Sequence, residues 1–364
     1  MIHDPPSVIV VGGGVFGWAS AYYLARRGVS VSLFERDAPG AHASGNNPGN
    51  LNPIHGAPER LIPLALRSFE LHQELRRELA ALNCADYQLE PVKRLLLAFD
   101  PVEHTQLQEA RQAFATRSGF VTSWLDRAAV AALDSRLSAA VQSALLVEGN
   151  MSINSGAFLS ALAAAAVKLG VQQVRAEVIG VDTLAQRVVG VRSSAGALAC
   201  DHAVFATGPW TAATREWLGF DAQITPVKGE MLRIALPGPA LQYDFTHGMI
   251  SLYRRGQNEC WIGVTREDAG FDESASEAGR ANLLTAAARI MPVVAQSEVL
   301  QQSAALRPMS RNGLPVVGRV PGWENAYIAN GASIKGMLLC SGVGLALAEL
   351  ITNGRTTVPI PELM

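Results

Sequence analysis

The sequence predicts a mixed α/β (α+β) fold with two domains, one built on a parallel sheet and the other on an antiparallel sheet. An apolar run over residues 7–11 leads through a glycine turn and a helical segment to a second apolar run that ends at residue 35, a pattern typical of parallel sheets. Over residues 224–265, short alternating runs are broken by Pro and Gly, as in antiparallel strands. With 364 residues, 49% of them hydrophobic, the chain can bury two cores.

The first apolar run and its glycine turn form a dinucleotide-binding pattern. Gly12 allows a sharp turn out of the strand, Gly14 leaves room for a pyrophosphate, and Gly17 allows the next helix to pack closely on the sheet. Backbone N–H groups at the start of this helix, residues 18–27, are expected to face the phosphates. Glu35 is placed to accept hydrogen bonds from the ribose hydroxyls, which disfavours NADP. These features predict a Rossmann-type unit, and they do not distinguish FAD from NAD as its ligand.

The next segments are a turn-rich loop and a helix. Residues 40–53 are small and turn-forming, and because they follow the ribose-binding acid we expect a functional loop. Residues 60–83 place leucines at helical intervals, which predicts an amphipathic helix covering the sheet. Residues 95–133 carry no motif with chemical meaning. Asn154 and Ser155 are expected to cap a helix over residues 156–169.

Two further segments predict backbone approaches to the dinucleotide. An apolar strand starting at Ala203 ends in Ala206-Thr207-Gly208, which predicts a second such approach. Near the C-terminus, a strand and a glycine-bearing loop over residues 326–336 lead into a helix over residues 337–351, whose N-terminus can bind an anion.

Composition excludes several classes of function. A formal net charge of −2, with dispersed basic residues, predicts no binding to nucleic acid. Four cysteines without a CxxC pair indicate a reducing compartment, and the cytoplasm is expected. No metal-ligand spacing occurs among seven histidines. Residues 1–6 lack the basic start of an export signal, and the apolar run 336–351 is judged too short for a membrane span, so no stable membrane insertion is expected.

Five ordered motifs indicate a known family. They are the fingerprint at residues 12–17, Ala206-Thr207-Gly208-Pro209-Trp210, Thr225-Pro226-Val227-Lys228-Gly229-Glu230-Met231, Leu306-Arg307-Pro308 with Gly313-Leu314-Pro315-Val316-Val317-Gly318, and the loop from Gly331 to Gly336. Together they span almost the whole chain. With these motifs the chain resembles the D-amino-acid oxidase superfamily of flavoproteins, and within it the glycine oxidase and sarcosine oxidase branch.

The resemblance implies an FAD-binding domain of residues 1–83, 150–215 and 305–364, and a substrate-binding domain of residues 84–149 and 216–304. It implies noncovalent FAD, because Ala305 stands near the cysteine that attaches the flavin in sarcosine oxidases. The implied cofactor-binding residues are Gly12, Gly14, Val15, Phe16, Glu35, Arg36, Ser44, Gly45, Asn46, Asn47, Gly49, Asn50, Leu51, Val178, Ala206, Thr207, Gly208, Trp210, Arg307, Gly331, Ser333, Ile334, Lys335, Gly336 and Met337.

The implied substrate site differs from that of a standard glycine oxidase. Arg307 matches the family arginine that holds the substrate carboxylate, for which a planar fork of donors is suited. His247 matches a pocket histidine. Met249 replaces a tyrosine, Asn50 replaces an apolar residue, and residues 334–335 replace an Arg-Asn pair. The expected substrate-binding residues are Arg307, His247, Met249, Asn50 and Lys335.

The expected reaction is oxidation of an amine α to a carboxylate, of glycine, sarcosine or D-amino-acid type. The α C–H would give a hydride to flavin N5 and the imine would hydrolyse in water, and no residue is assigned as acid or base. One alternative is an FAD-dependent 2-hydroxy-acid dehydrogenase, with His247 as the base. Others are the flavoprotein subunit of an amine or opine dehydrogenase complex, and an oxidoreductase of tRNA carboxymethylaminomethyl-uridine, whose flavin loop resembles residues 43–46. The expected partner is a small amino acid or amine, with a homo-oligomer or an electron-acceptor subunit also open.

Overall fold

The computed structural model describes residues 6–361; residues 1–5, on which the export-signal prediction depends, lie outside the described part. The strands are β1 (Ser7–Val11), β2 (Ser30–Glu35), β3 (Asn50–Leu51), β4 (Leu89–Ala98), β5 (Val121–Asp126), β6 (Ser143–Ile153), β7 (Gln172–Arg175), β8 (Val178–Leu184), β9 (Arg187–Ser193), β10 (Gly196–Ala199), β11 (His202–Phe205), β12 (Ile224–Ala235), β13 (Asp244–His247), β14 (Ile250–Arg255), β15 (Glu259–Gly263), β16 (Glu298–Ser310), β17 (Val316–Arg319) and β18 (Ala326–Asn330). The helices are α1 (Val15–Ala25), α2 (Ile62–Ala81), α3 (Pro101–Ala115), α4 (Arg127–Leu133), α5 (Ser155–Lys168), α6 (Ala212–Leu218), α7 (Glu277–Ile290) and α8 (Gly336–Asn353), with short 3-10 turns at Glu59–Leu61 and Pro292–Gln296.

The first sheet has six strands in the order β17-β18-β11-β1-β2-β7, all parallel except the β17–β18 pair. Alternate residues of a strand point to opposite faces. In β1, Val8 and Val10 pack in the core formed with α1, α5 and α8. Ile9 and Val11 pack on the other face with residues of β9 and α6. The predicted parallel sheet is confirmed, and β8, β9 and β10 form a small third sheet.

The second sheet has nine strands in the order β16-β12-β15-β14-β13-β4-β6-β3, with β5 also paired to β6. All pairs are antiparallel except β13 with β4. Helix α7 covers one face, where Leu252 of β14 and Leu283 of α7 share a core. The next residue of β14, Tyr253, points to the opposite face. A hairpin after Arg255 joins β14 and β15, and residues 95–133 supply the end of β4 together with α3, β5 and α4.

Two expectations about helices were wrong. Helix α2 packs on α8 rather than directly on the sheet: the Ser341 hydroxyl of α8 donates to the Ser68 carbonyl oxygen of α2 at 2.9 Å. Helix α8 was judged too short for a membrane span, yet its 18 residues are long and apolar enough by length and composition. It lies between α1 and α2, where Gly344 contacts the backbone of Ala19, so its apolar residues belong to the protein core.

The chain-wise division into two domains stays a proposal. Two strands cross its boundaries: β6 runs through position 149/150 and β16 through position 304/305. Both strands hydrogen bond within the second sheet along their lengths. Residues 305–310 and 150–153, which the resemblance assigned to the FAD-binding domain, therefore pair with strands of the second sheet.

Candidate functional site

A cleft of about 560 Å³ runs between the first and second sheets, a volume typical of ligand pockets. The first sheet contributes residues at the carboxyl ends of β1, β2, β11 and β18. The second sheet contributes residues of β4, β13, β14 and β16. Because ligands of open parallel sheets bind at the carboxyl ends of the strands, this cleft is the candidate functional site.

The glycine turn after β1 has no room for larger residues. Gly12 has a φ of +107°, and a Cβ there would overlap the carbonyl oxygen of Ala206. A Cβ on Gly17 would overlap the carbonyl oxygen of Gly12. A Cβ on Gly14 would approach only the Ser44 hydroxyl, at 3.3 Å, so its other side is open to the cleft. The turn therefore leaves backbone exposed where a pyrophosphate would lie.

Glu35 lies at the end of β2 in the same cleft. Its carboxylate accepts hydrogen bonds from the N–H groups of Gly13 at 2.6 Å and Asp37 at 2.8 Å. These bonds fix the side chain beside the glycine turn, as a ribose-binding acid requires. The neighbouring Arg36 places its guanidinium 4.6 Å from the ring centre of Trp210, and both residues line the cleft.

The turn-rich segment after β2 is ordered by its own side chains. The Asn47 amide donates to the Ser44 carbonyl oxygen at 2.7 Å, and its Oδ1 accepts from the Gly49 N–H at 2.9 Å. The Ser44 hydroxyl accepts from the Val15 N–H at 2.9 Å, so that N–H, expected to face a phosphate, is bonded to the protein. Several residues of the segment line the cleft, including Asn46 and Asn47.

Arg307 enters the cleft from β16. Its Nη2 donates to the Thr265 carbonyl oxygen at 2.7 Å, and a Cβ on Gly229 of the paired strand β12 would overlap the guanidinium. Burial, together with the nearby positive charge of Arg266, lowers the pKa of Arg307. Among the residues that the structure describes, no carboxylate pairs with it. Its planar donors are therefore available to a bound carboxylate.

Lys335 precedes α8 and places a second cation in the cleft. Its ammonium donates to the carbonyl oxygens of Asn52 at 2.7 Å and His55 at 2.8 Å. Burial and the positive charge of Arg94 lower the pKa of Lys335 to about 7. Burial, with the charges of Lys335 and Arg94, lowers the pKa of His55 to about 4. At neutral pH, His55 is thus uncharged while Lys335 titrates.

Lys335 makes the stability of the cofactor-free protein depend on pH. Its folded pKa lies below that of a free lysine, 10.5, so between pH 7 and 10 the unfolded chain binds more protons. The free energy of unfolding should therefore rise with pH over this range. In Lys335→Met this rise should shrink, which urea unfolding at pH 6.5, 8 and 9.5 can measure. An identical pH profile in the variant would contradict the lowered pKa.

The structure brings most of the predicted site residues to this cleft. The lining includes Gly12, Gly14, Val15, Phe16, Glu35, Arg36, Ser44, Asn46, Asn47, Asn50, Val178, Ala206, Thr207, Gly208, Trp210, Met249, Arg307, Ser333, Ile334, Lys335, Gly336 and Met337. Gly45, Gly49, Leu51 and Gly331 do not line it. Leu51 is buried in β3, whereas the three glycines lie in loops: Gly49 has a φ of +65° and a Cβ there would overlap the Ile153 carbonyl oxygen.

The structure does not place His247 in the cleft. Thr246 faces the cleft, where its hydroxyl lies 2.9 Å from that of Ser251, and the next residue of a strand points to the other face. There, the Nε2 atom of His247 lies 2.8 Å from Glu103 Oε1, and its ring lies 4.4 Å from that of Phe99. The expectation that His247 contacts substrate is therefore wrong, because the alternation of side chains along β13 places His247 on the face opposite the cleft.

Sequence reasoning missed several residues of the second sheet that line the cleft, Arg94 and Tyr253 among them. Arg94 is 3% exposed, and its Nη2 donates to Asp244 Oδ2 at 2.8 Å. Its guanidinium carbon lies 5.5 Å from the ring centre of Tyr253. A signal for Arg94 exists, because it directly precedes the buried apolar run 95–98 of β4.

These residues fit an extended dinucleotide. The glycine turn and Glu35 suit its nucleotide half, and the open side of Gly14 leaves space for the phosphates. At the other end, Asn50 Oδ1 is buried without a hydrogen-bond partner in the described part of the chain. This acceptor, which lines the cleft, suits a ring with an N–H donor such as the flavin pyrimidine. The fold and the cleft define a dinucleotide-binding protein. The half of the cleft farther from the glycine turn is rich in cations.

The chain belongs to the DAO family of FAD-dependent oxidoreductases, whose model matches residues 7–350. It is 30% identical to a glycine oxidase of Geobacillus kaustophilus, over 96% of this chain and 93% of that protein. It is 27% identical to a hydrogen cyanide synthase subunit of Pseudomonas protegens, over 95% and 92%. The crystal structure of glycine oxidase from Geobacillus kaustophilus superposes with a TM-score of 0.91 and 28% identity, covering 97% of this chain and 96% of that chain.

The protein is therefore an FAD-dependent oxidoreductase, and the predicted family, fold class and cofactor are confirmed. FAD is held noncovalently. The four cysteines, Cys84, Cys200, Cys260 and Cys340, are buried and unpaired. All four lie in the described residues, and none lines the cleft.

Proposed function

We propose that this protein oxidises an amine α to a carboxylate, with glycine, sarcosine or a D-amino acid as the simplest substrates. The observation that carries the proposal is the guanidinium of Arg307, which faces the cleft, donates to one backbone carbonyl and has no carboxylate partner among the described residues. A buried carboxylate requires such a partner. The names of the relatives, glycine oxidases among them, support the same substrate type.

In this mechanism the residues of the protein bind and orient the substrate. Arg307 holds the substrate carboxylate, and Tyr253, 7% exposed, forms an apolar wall that limits how the substrate can turn. Bound FAD would supply the acceptor for the hydrogen and the two electrons of the α C–H bond. The substrate amine must be neutral to become an imine, and the positive charges of Arg307 and Lys335 favour its deprotonated form. Water then hydrolyses the imine, and no protein acid or base is assigned.

Two neighbours of the substrate region differ from those expected of a glycine oxidase. Met249 is 64% exposed and Ile334 is 63% exposed, and both line the cleft. Large apolar side chains exposed at a cleft favour contact with an apolar ligand surface. We propose that they contact the flavin or the carbon chain of the substrate.

Anaerobic titration tests the cofactor and the chemistry together. The purified protein should be yellow, and glycine, sarcosine or a D-amino acid should bleach its flavin absorbance in the absence of oxygen. The corresponding 2-hydroxy acids should not, because His247, the expected base for a hydroxyl proton, lies outside the cleft. Bleaching by 2-hydroxy acids alone would overturn the proposal. Bleaching by amines without rapid reoxidation in air would instead favour a dehydrogenase subunit.

The cytoplasmic location and the small-molecule partner also belong to this proposal. All four cysteines are buried and unpaired, as expected in a reducing compartment. An electron-acceptor subunit and a homo-oligomer both stay predictions.

A further inference from the structure

The half of the cleft farther from the glycine turn, lined by the second sheet and the loop before α8, carries more positive charge than a monocarboxylate substrate requires. Its lining includes the cations Arg94, Arg266, Arg307 and Lys335. Among the described lining residues the only carboxylates are Glu35 and Glu177, and both belong to the nucleotide half beside β2 and β8. Asp244, which does not line the cleft, pairs with Arg94, and a monocarboxylate substrate would compensate Arg307. The FAD diphosphate would lie by the glycine turn, on the opposite sheet.

Arg94 differs from the other three cations in its burial and support. It is 3% exposed, and the small exposed part of the residue faces the cleft. Asp244 fixes it through the 2.8 Å bond to Nη2, and Asp244 is itself held by the N–H of Arg254 at 2.8 Å. Arg94 Nε has no partner among the described residues. A buried guanidinium that keeps an unsatisfied donor beside a ligand cleft can bind an anionic group.

Arg94 and Arg307 line the cleft from the same sheet, and Tyr253 lines it as well. The Arg94 guanidinium carbon lies 5.5 Å from the Tyr253 ring centre. Arg94 is on β4 and Tyr253 on β14, two strands apart in the sheet, which is roughly 10 Å between backbones. Strand β14 lies between β4 and β16 in the sheet order, so Arg94 and Arg307 line the cleft from opposite sides of the Tyr253 strand and can each bind one end of a dianion.

We propose that Arg94 forms a second anion subsite, so that the preferred substrate is an amino acid with two carboxylates, one on Arg307 and the other on Arg94. The reaction of this substrate rests on the proposed amine oxidation. The binding of its second carboxylate rests only on the residues that line the cleft. Asp244 positions Arg94 and does not contact the substrate.

Matched pairs of compounds test this on the FAD-loaded protein. Iminodiacetate is compared with sarcosine, and D-aspartate and D-glutamate with D-alanine, by anaerobic flavin bleaching. At least one dicarboxylate should show an apparent Kd at least tenfold below that of its matched monocarboxylate. Succinate and glutarate should perturb the oxidised flavin spectrum with lower apparent Kd values than propionate and butyrate. This second measurement needs no turnover, so it tests the subsite even if no amine bleaches the flavin.

The variants assign the preference to Arg94. Arg94→Met combined with Asp244→Asn removes both buried charges together and should raise the Kd for dicarboxylates at least tenfold, with less than a twofold change for monocarboxylates. Arg94→Lys keeps a cation beside Asp244 and should retain part of the preference. Arg254→Met is the matched control, because its side chain pairs with Glu90 outside the cleft, and it should change neither Kd.

Three results separate the possible failures. Equal Kd values for succinate and propionate, and for each amine pair, would overturn the second subsite while amine bleaching still supports the proposed function. An equal loss of both ligand types in the Arg94 variants, with normal flavin content, would also overturn it. No bleaching by any amine, with a succinate preference that the Arg94→Met/Asp244→Asn double variant abolishes, would reject amine oxidation and retain the anion subsite.

Discussion

Gly12→Ala should give a colourless protein with little or no bound FAD. At the φ of +107° found at Gly12, an alanine is unfavourable by about 1–2 kcal/mol from backbone strain alone. Its Cβ would also overlap the Ala206 carbonyl oxygen, and the Ala206 carbonyl carbon lies 2.8 Å from the Cβ position. These are backbone atoms between adjacent strands, so the clash cannot be relieved by a side-chain rotation. The ratio of flavin to protein absorbance after purification should fall at least tenfold.

Gly28→Ala is the matched control for that variant. Gly28 also has a positive φ, +79°, but a Cβ there meets no atom within 4 Å. It follows α1, at the opposite end of the helix from the glycine turn. The control should acquire the same kind of backbone strain, visible as a lower Tm, and keep its flavin. Equal flavin content in Gly12→Ala and Gly28→Ala would show that the turn does not position the cofactor.

Local backbone features were predictable from the sequence because each depends on residues close in the chain. The glycine turn is one example. Another is Asn154, whose side chain accepts from the Ala157 N–H at 3.0 Å and caps α5 as expected. A third is Gly354, which ends α8 with a φ of +72°. The first helix, however, begins at Val15 rather than Trp18, because the glycine turn itself forms the helix start.

Side-chain placement across the second sheet was not predictable in the same way. Whether His247 or Thr246 faces the cleft depends on the register between β13 and β14, which pairs Thr246 with Ser251, and a shift of one residue would exchange the two faces. Arg94 reaches its partner only because β4 pairs in parallel with β13 and places it opposite Asp244. These two residues are 150 positions apart in the chain, so no local pattern joins them.

The loop before α8 shows how both kinds of information combine. The sequence placed Ile334 and Lys335 beside the cofactor, and both line the cleft. What the sequence could not supply is the partner of the ammonium, since Lys335 donates to carbonyl oxygens of Asn52 and His55 nearly 300 positions away. Those carbonyl oxygens carry no formal charge, so they do not neutralise the positive charge that a protonated Lys335 brings to the cleft.

Arg307→Leu should raise the KM for carboxylate-bearing amines about 100-fold, with a smaller effect on kcat. Removing one partner of a buried charged hydrogen-bonded pair costs roughly 3 kcal/mol, which corresponds to about 100-fold in binding. Because the carboxylate remains bound through the reaction, this energy is lost equally from the ground and transition states and appears in KM. Leucine also leaves the Thr265 carbonyl without its 2.7 Å donor, so the Tm should be recorded beside the kinetics.

Two comparisons decide whether the loss belongs to the substrate carboxylate. An amine without a carboxylate, such as N-methylbenzylamine, should react poorly with the native protein and no worse with Arg307→Leu. Arg307→Lys keeps the positive charge but cannot bind a carboxylate through two parallel N–H groups, so its KM should lie between those of the native protein and the leucine variant. If KM is unchanged in Arg307→Leu while flavin content and Tm are normal, the carboxylate binds elsewhere, and the cations Arg266 and Arg94 become the candidates, since both line the same cleft.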